Sequence, residues 1–251
     1  PDHVVNLMSF IAQETREILA GLGARSLEDV IGRADLLDQV SRGAPQLDDL
    51  DLNALLVRVD ATEKPMRSTR EQRNAVAPAL DDTILADCEP LFSRGEKLQL
   101  DYDVRNTNRA VGTRISSEIV TRIGPNALRP GHLTLRLKGS AGQSLGAFGA
   151  TGLRIDVTGD ANDYVGKGLS GAVIAVKPSP GRAMRTTEDA IIGNTCLYGA
   201  TSGALYAAGR AGERFAVRNS GAEAVVEGCG SNGCEYMTGG RALILGRVGD
   251  N

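Results

Sequence analysis

Apolar residues fall at positions 4, 7, 8, 11, 18, 19 and 22, with Thr15 keeping the phase between them. This three-and-four spacing predicts an amphipathic helix with a face to bury, Asp2 near its N-terminus and Gly21 and Gly23 at its end. Ser26 with Asp29 three residues on, ahead of Val30 and Ile31, predicts a short second helix before Asp35-Leu36-Leu37. Residues 41–51, with Gly43, Pro45 and three aspartates, read as a loop. Residues 60–79 carry Glu63-Lys64-Pro65, Arg67, Arg70, Glu71 and Arg73 with few large apolar groups, the pattern of an exposed linker. Helical spacing returns over 81–92, Leu98, Leu100 and Tyr102 alternate as a strand would, and 114–123 fits either element.

Beyond Gly131 the pattern changes, and 24 of the 31 glycines lie between there and the end. Short apolar segments recur, each behind a glycine: Gly152, Gly171, Gly203, Gly221 and Gly240, at spacings of 19, 32, 18 and 19. A second set of glycines precedes them, Gly159, Gly209 and Gly228, each 12 positions before the next leading glycine. These eight are the expected structural turn glycines. A turn-plus-strand unit of about 19 residues, with one insertion of about a dozen, cannot bury its own apolar face, so stacking the units is the economical solution. The predicted fold is mainly β: a right-handed parallel β-helix preceded by an α-helical N-terminal segment and linker. An antiparallel sandwich is the second reading. Asn219, Asn232 and Asn251 lie near one phase of the repeat, as an internal asparagine ladder or left-handed turn residues would require.

Composition narrows the function. Lys and Arg total 28 against 31 Asp and Glu, so no basic excess exists to bind nucleic acid or a membrane surface. There is no apolar run of membrane-spanning length and no signal peptide, and four cysteines are too few for a disulfide scaffold, which together point to a reducing cytoplasm. Glycine enrichment and the absence of Trp suit the narrow interior of a coil of small aliphatic residues.

Candidate chemistry is thin. Gly166-Lys167-Gly168-Leu169-Ser170-Gly171 lacks the Walker spacing, and Gly139 to Ser144 is not a dinucleotide fingerprint. Cys229 and Cys234 are not spaced as a metal pair and have no nearby histidine, since His3 and His132 are remote. Asp160 with Asp163 and Glu188 with Asp189 read as turn-capping acids, and Arg210, Glu213, Arg214 and Arg218 as a solvated charged group. No catalytic, cofactor-binding or metal residue is assigned.

Residues 159–171 (GDANDYVGKGLSG), 192–201 (IGNTCLYGAT), 211–221 (AGERFAVRNSG) and 234–240 (CEYMTGG) closely resemble the glycine-repeat, Gly-x-Gly-x-Gly domain at the C-terminal end of bacterial glutamate synthase large (alpha) subunits. The opening helix also looks like the tail of the preceding FMN-binding synthase domain. The resemblance implies a right-handed β-helix of structural role over 81–251, a helical tail of the synthase domain over 1–40 and a linker over 41–80. It implies a parent enzyme that makes two glutamates from glutamine, 2-oxoglutarate and reductant, with the NADPH type favoured over the ferredoxin type. FMN and a 3Fe–4S cluster are expected elsewhere in that large subunit, FAD and 4Fe–4S clusters on its small (beta) subunit, and none on this segment. Expected partners are the other domains of the same large subunit and the small subunit. The start at Pro1 and the family's further repeats past Asn251 imply a piece of a longer polypeptide, ending within the solenoid. The alternative is a free-standing β-helix interaction subunit like the glycine-repeat subunit of formylmethanofuran dehydrogenase. Catalysis by the charges of 210–218 or by Cys229 and Cys234 is a further one.

Overall fold

A computed structural model describes residues 2–69, 75, 77–181 and 183–251. The chain divides into two compact units, Pro1–Val76 and Ala77–Asn251.

The first unit holds helix α1 (Asp2–Gly21), single 3-10 turns at Leu27–Asp29, Ala34–Leu36 and Asn53–Leu55, and one turn of helix, α2 (Pro45–Asp48). The expected apolar face of α1 forms, yet Val4, Leu7, Met8, Ile11 and Ile18 stand exposed and the helix has no buried residue. No other element described in the first unit buries that face. The predicted second helix stops after one turn. Asp29 Oδ2 accepts the Arg25 and Ser26 backbone N–H groups at 2.9 and 3.0 Å, and the chain turns left-handed at Gly32 before a second turn can form. The expected loop at 41–51 includes α2, started by Pro45 at its first position. Of the expected linker, Arg70, Glu71 and Arg73 lie outside the described residues; residues 60–69 contain neither helix nor strand.

The second unit begins with α3 (Leu80–Asp87) and α4 (Glu89–Arg94), separated at Cys88 where Pro90 cannot donate into a continuing helix. Strand β1 (Leu98–Val104) and helix α5 (Thr113–Arg122) follow. The ambiguity over 114–123 resolves as helix because Asp81 Oδ1 and Oδ2 accept the Gly112 and Arg114 backbone N–H groups, both at 2.8 Å, while Ile115 and Ile119 share one buried face.

Seven more strands follow: β2 (Leu133–Ala141), β3 (Leu153–Ala161), β4 (Ser170–Lys177), β5 (Ala190–Ile192), β6 (Ser202–Ala211), β7 (Ser220–Gly228) and β8 (Gly239–Ile244). The ladder runs β1-β2-β3-β4-β6-β7-β8, with β5 pairing β3 and β6, and every paired strand is parallel. The antiparallel sandwich is thereby excluded. Register stacks like on like: Leu100, Leu135, Ile155, Ile174, Leu205 and Ala224 form one inward column, and Tyr102, Leu137, Val157, Val176, Ala207 and Val226 the next. Helices α3 to α5 add Ile84, Leu91, Ile115 and Ile119 to the same core.

The turns stack as well. In 144–148, 164–168, 195–199, 214–218 and 232–236, every second residue has φ between 54° and 64°. Their amides bond from one tract to the next, as in Ser144 to the Asp163 oxygen (2.9 Å), Tyr164 to Asn194 (2.9 Å) and Thr195 to Glu213 (2.7 Å). Thr195, Leu197, Arg214, Ala216 and Cys234 thus occupy a backbone region that favours glycine, held there by hydrogen bonds from the neighbouring tract. The expected asparagine ladder does not form. Asn232 and Asn251 are left-handed turn residues, but Asn219 sits buried at another phase and bonds its own corner.

Candidate functional site

The stacked turns use up the backbone groups that a phosphate would need. In the glycine-rich run 166–171, Gly166 N–H donates to the Leu145 oxygen (2.8 Å), Gly168 to Tyr198 (2.8 Å), Leu169 to Gly166 (3.0 Å) and Ser170 to Gly149 (2.9 Å). The Lys167 ammonium lies 5.7 Å from the Tyr164 ring centroid. These donors form a rung of the turn ladder and leave no cradle of free amides.

Among the eight glycines, Gly152, Gly159, Gly171, Gly203 and Gly240 have φ between 80° and 150°. Gly209, Gly221 and Gly228 lie outside that left-handed region and are sites of close approach. A Cβ on Gly209 would meet Ile191 and Met184 at 2.8 and 2.9 Å, one on Gly221 would meet the Thr201 oxygen, and one on Gly228 would lie 2.8 Å from the Arg247 oxygen.

The titratable groups are dispersed. His3 lies on α1, and His132 Nε2 is 3.1 Å from the Gly95 oxygen in the second unit. Asp163 Oδ1 accepts the Asn194 N–H at 2.7 Å, and Asp189 Oδ2 accepts the Arg185 N–H at 2.9 Å, so both acids brace turns. Arg210 Nη2 donates to the Cys229 oxygen at 3.2 Å, while Arg218 lies over the Tyr236 ring at 5.6 Å. These positions do not converge on a reacting centre.

Cys88, Cys196 and Cys229 are buried, and all four thiols are free. Burial pushes the Cys88 and Cys196 thiols up to about 12, and it also raises Cys229 and Cys234. A thiolate nucleophile or ligand needs the opposite shift. No group of three or more His, Cys, Asp or Glu among the described residues is placed to hold a metal. Among the described residues, no helix is long and apolar enough to cross a membrane.

A surface groove that the sequence reading missed lies on the outer face of the sheet. An open groove of about 540 Å³ is floored by Ala175 and Val225, walled by Tyr206, and edged by Arg154, Asp156, Lys177 and Glu227. Its charged side is self-neutralised: Arg136 pairs with Asp101 at 2.6 Å, and Arg154 faces both oxygens of Asp156 at 2.8 and 2.9 Å. The missed signal is Ala172-Val173-Ile174-Ala175-Val176, where the outward positions are as apolar as the inward ones.

A family model described as "GXGXG motif" matches residues 81–251. The chain is 63% identical over 246 residues to the glutamate synthase (NADPH) large chain of Azospirillum brasilense, covering 98% of this chain and 16% of that protein. It is 47% identical over 256 residues to ferredoxin-dependent glutamate synthase 2 of Synechocystis sp., and 46% identical over 254 residues to the glutamate synthase (NADPH) large chain of Bacillus subtilis. Each of these covers 100% of this chain and 16% of the relative. The chain therefore spans about one sixth of the length of these relatives.

Proposed function

This chain belongs to the GXGXG-motif family, in the form that glutamate synthase large chains carry, and on that premise we propose that it is the structural C-terminal part of such an enzyme. In this reading the parallel stack is a right-handed β-helix over 81–251, joined through a linker at 41–80 to a helical tail of the synthase domain at 1–40. The stack holds the amidotransferase and synthase domains in register while they make glutamate from glutamine, 2-oxoglutarate and reductant in the cytoplasm. NADPH is the favoured electron source. FMN and the iron–sulfur clusters are carried by other parts of the enzyme, and the large chain works with a small flavin-containing subunit.

One observation carries the structural assignment: the thiols, turn acids and glycine-run amides singled out in the second unit are spent on the scaffold. Thiols are buried and raised, acids cap turns, and glycine amides bond the next tract. A scaffold demands this and a catalytic site does not.

The test is glutamine-dependent glutamate formation by the full-length large chain with its electron-donating subunit. Cys196→Ala, Asp163→Asn and Lys167→Ala are expected to retain kcat within about threefold. Loss of kcat in a folded Cys196→Ala or Lys167→Ala enzyme, with its glutaminase half-reaction intact, would place chemistry in this segment.

A further inference from the structure

The outer face of the sheet has two characters. Over β1 to β3 it is solvated: Asp101, Arg136 and Asp156 stand in one row across three strands, each acid facing a base. The same row then becomes Ala175, Tyr206, Val225 and Leu243 across β4, β6, β7 and β8. Tyr206 is 42% exposed and Leu243 is 55% exposed. A parallel sheet whose strands are apolar on both faces is one built to be covered on both. The flanking charges also differ from those on the solvated half. Lys177 on β4 and Glu227 on β7 edge the groove, which Ala208 of β6 also lines, and neither has an ion pair or side-chain hydrogen bond among the described residues.

We infer that the apolar outer face of β4, β6 and β7 is a docking surface for another domain of the same large-chain polypeptide. The docked segment presents an apolar side chain against Ala175 and Tyr206, an acid toward Lys177 and a base toward Glu227. This rests on the reading of the chain as part of a glutamate synthase large chain. Two arguments select that occupant. The relatives carry about five sixths of their length outside the matched segment, so covalent connection holds such a domain at high local concentration. The uncompensated Lys177 and Glu227 charges, of opposite sign and carried on β4 and β7 with β6 between those strands, both follow the apolar Ala175–Tyr206–Val225 row at one end of the groove, and they provide complementarity that fixes the orientation of a docked segment.

The experiment uses the full-length large chain with the photo-cross-linker p-benzoylphenylalanine in place of Tyr206, followed by mass spectrometry of the linked peptides. A cross-link to a large-chain peptide outside residues 1–251 is expected. Cross-linking only to a second copy of this segment, only to the small subunit, or to no peptide overturns the inference. Lys177→Glu and Glu227→Lys should each cut the yield by at least about threefold, whereas Asp103→Asn, outside the groove, leaves it unchanged. Should the photo-probe variant fail to fold, hydroxyl-radical footprinting of the wild-type large chain replaces it. Tyr206 is then expected to oxidise at least about fivefold more slowly than in the urea-unfolded chain, and a difference under about twofold overturns the inference. An enzyme that makes glutamate with Tyr206 unlinked and unprotected refutes the docking alone. A large chain that makes no glutamate refutes the functional reading beneath it.

Discussion

Asn219 and Ala222 bond to each other twice: Asn219 Oδ1 accepts the Ala222 N–H at 2.9 Å, and Asn219 Nδ2 donates to the Ala222 carbonyl at 2.9 Å. Both residues are fully buried, so this pair satisfies the backbone at the corner where the chain enters β7. Asn219→Ala removes both bonds and leaves a buried donor and acceptor unpaired, at a cost of about 2–4 kcal/mol. Asn219→Asp keeps the acceptor and loses the donor. Denaturant unfolding is expected to rank wild type above Asp above Ala at neutral pH.

Gly159 tests whether the stack tolerates side chains at its closest approach. Its φ of 150° and the Gly139 carbonyl packed where a Cβ would sit leave room for glycine alone. Gly159→Ala is expected to cost about 3 kcal/mol or more, since the obstructing atom is backbone in the neighbouring rung. Gly131, with φ of 68° and nothing within 4 Å of its Cβ position, is the control. Gly131→Ala carries only the backbone strain, about 1 kcal/mol. Similar losses of Tm in the two variants would refute the rung-spacing argument.

The cysteines differ in access more than in chemistry. Cys196 is fully buried with its thiol pushed up to about 12 and donating to the Gly193 oxygen at 3.2 Å, whereas Cys234 is half-buried. In the native protein a thiol-specific reagent at pH 8 is expected to modify Cys234 first, with Cys88, Cys196 and Cys229 reacting only after denaturant is added. Peptide mapping of the labelled sites checks this, and labelling of Cys196 at the rate of Cys234 would contradict it.

The repeat was legible because its physics is local. A glycine before each apolar segment and a constant spacing require stacking; Gly152 immediately precedes β3, and Gly171, Gly203, Gly221 and Gly240 are the second residues of β4, β6, β7 and β8. The single insertion falls between β4 and β5, after Lys177. The turn tracts were not legible, because left-handed φ at Leu197, Arg214 and Ala216 runs against residue preference and is imposed by hydrogen bonds from neighbouring tracts. The outer groove was missed for a related reason. Ala175 and Tyr206 become neighbours only through the β4–β6 register, across the insertion that separates them in sequence. The asparagine spacing misled because Asn219 follows the corner phase, whereas Asn232 follows the turn-tract phase.

Asp81 supplies a pH signature with a definite sign. Burial raises its carboxyl above the ordinary value, outweighing the backbone N–H groups of Gly112 and Arg114 and the Arg114 charge, which act the other way. The folded protein therefore holds this proton to higher pH than the unfolded chain, whose aspartates titrate near 3.9. Between those two values the folded state binds more protons, so the Asp81 contribution to stability is fully present below pH of about 4, falls as pH rises through the raised value, and is constant above it. Asp81→Asn cannot titrate and lacks this slope. It also replaces one of the two accepting oxygens with a donor, which costs about 1–3 kcal/mol at the start of α5. Unfolding free energies of both proteins from pH 3.5 to 7 are expected to show the wild-type advantage shrinking with rising pH and then levelling off. An advantage that instead grows over that range would mean that the two backbone hydrogen bonds outweigh the burial, and that Asp81 caps α5 as a fully ionised group.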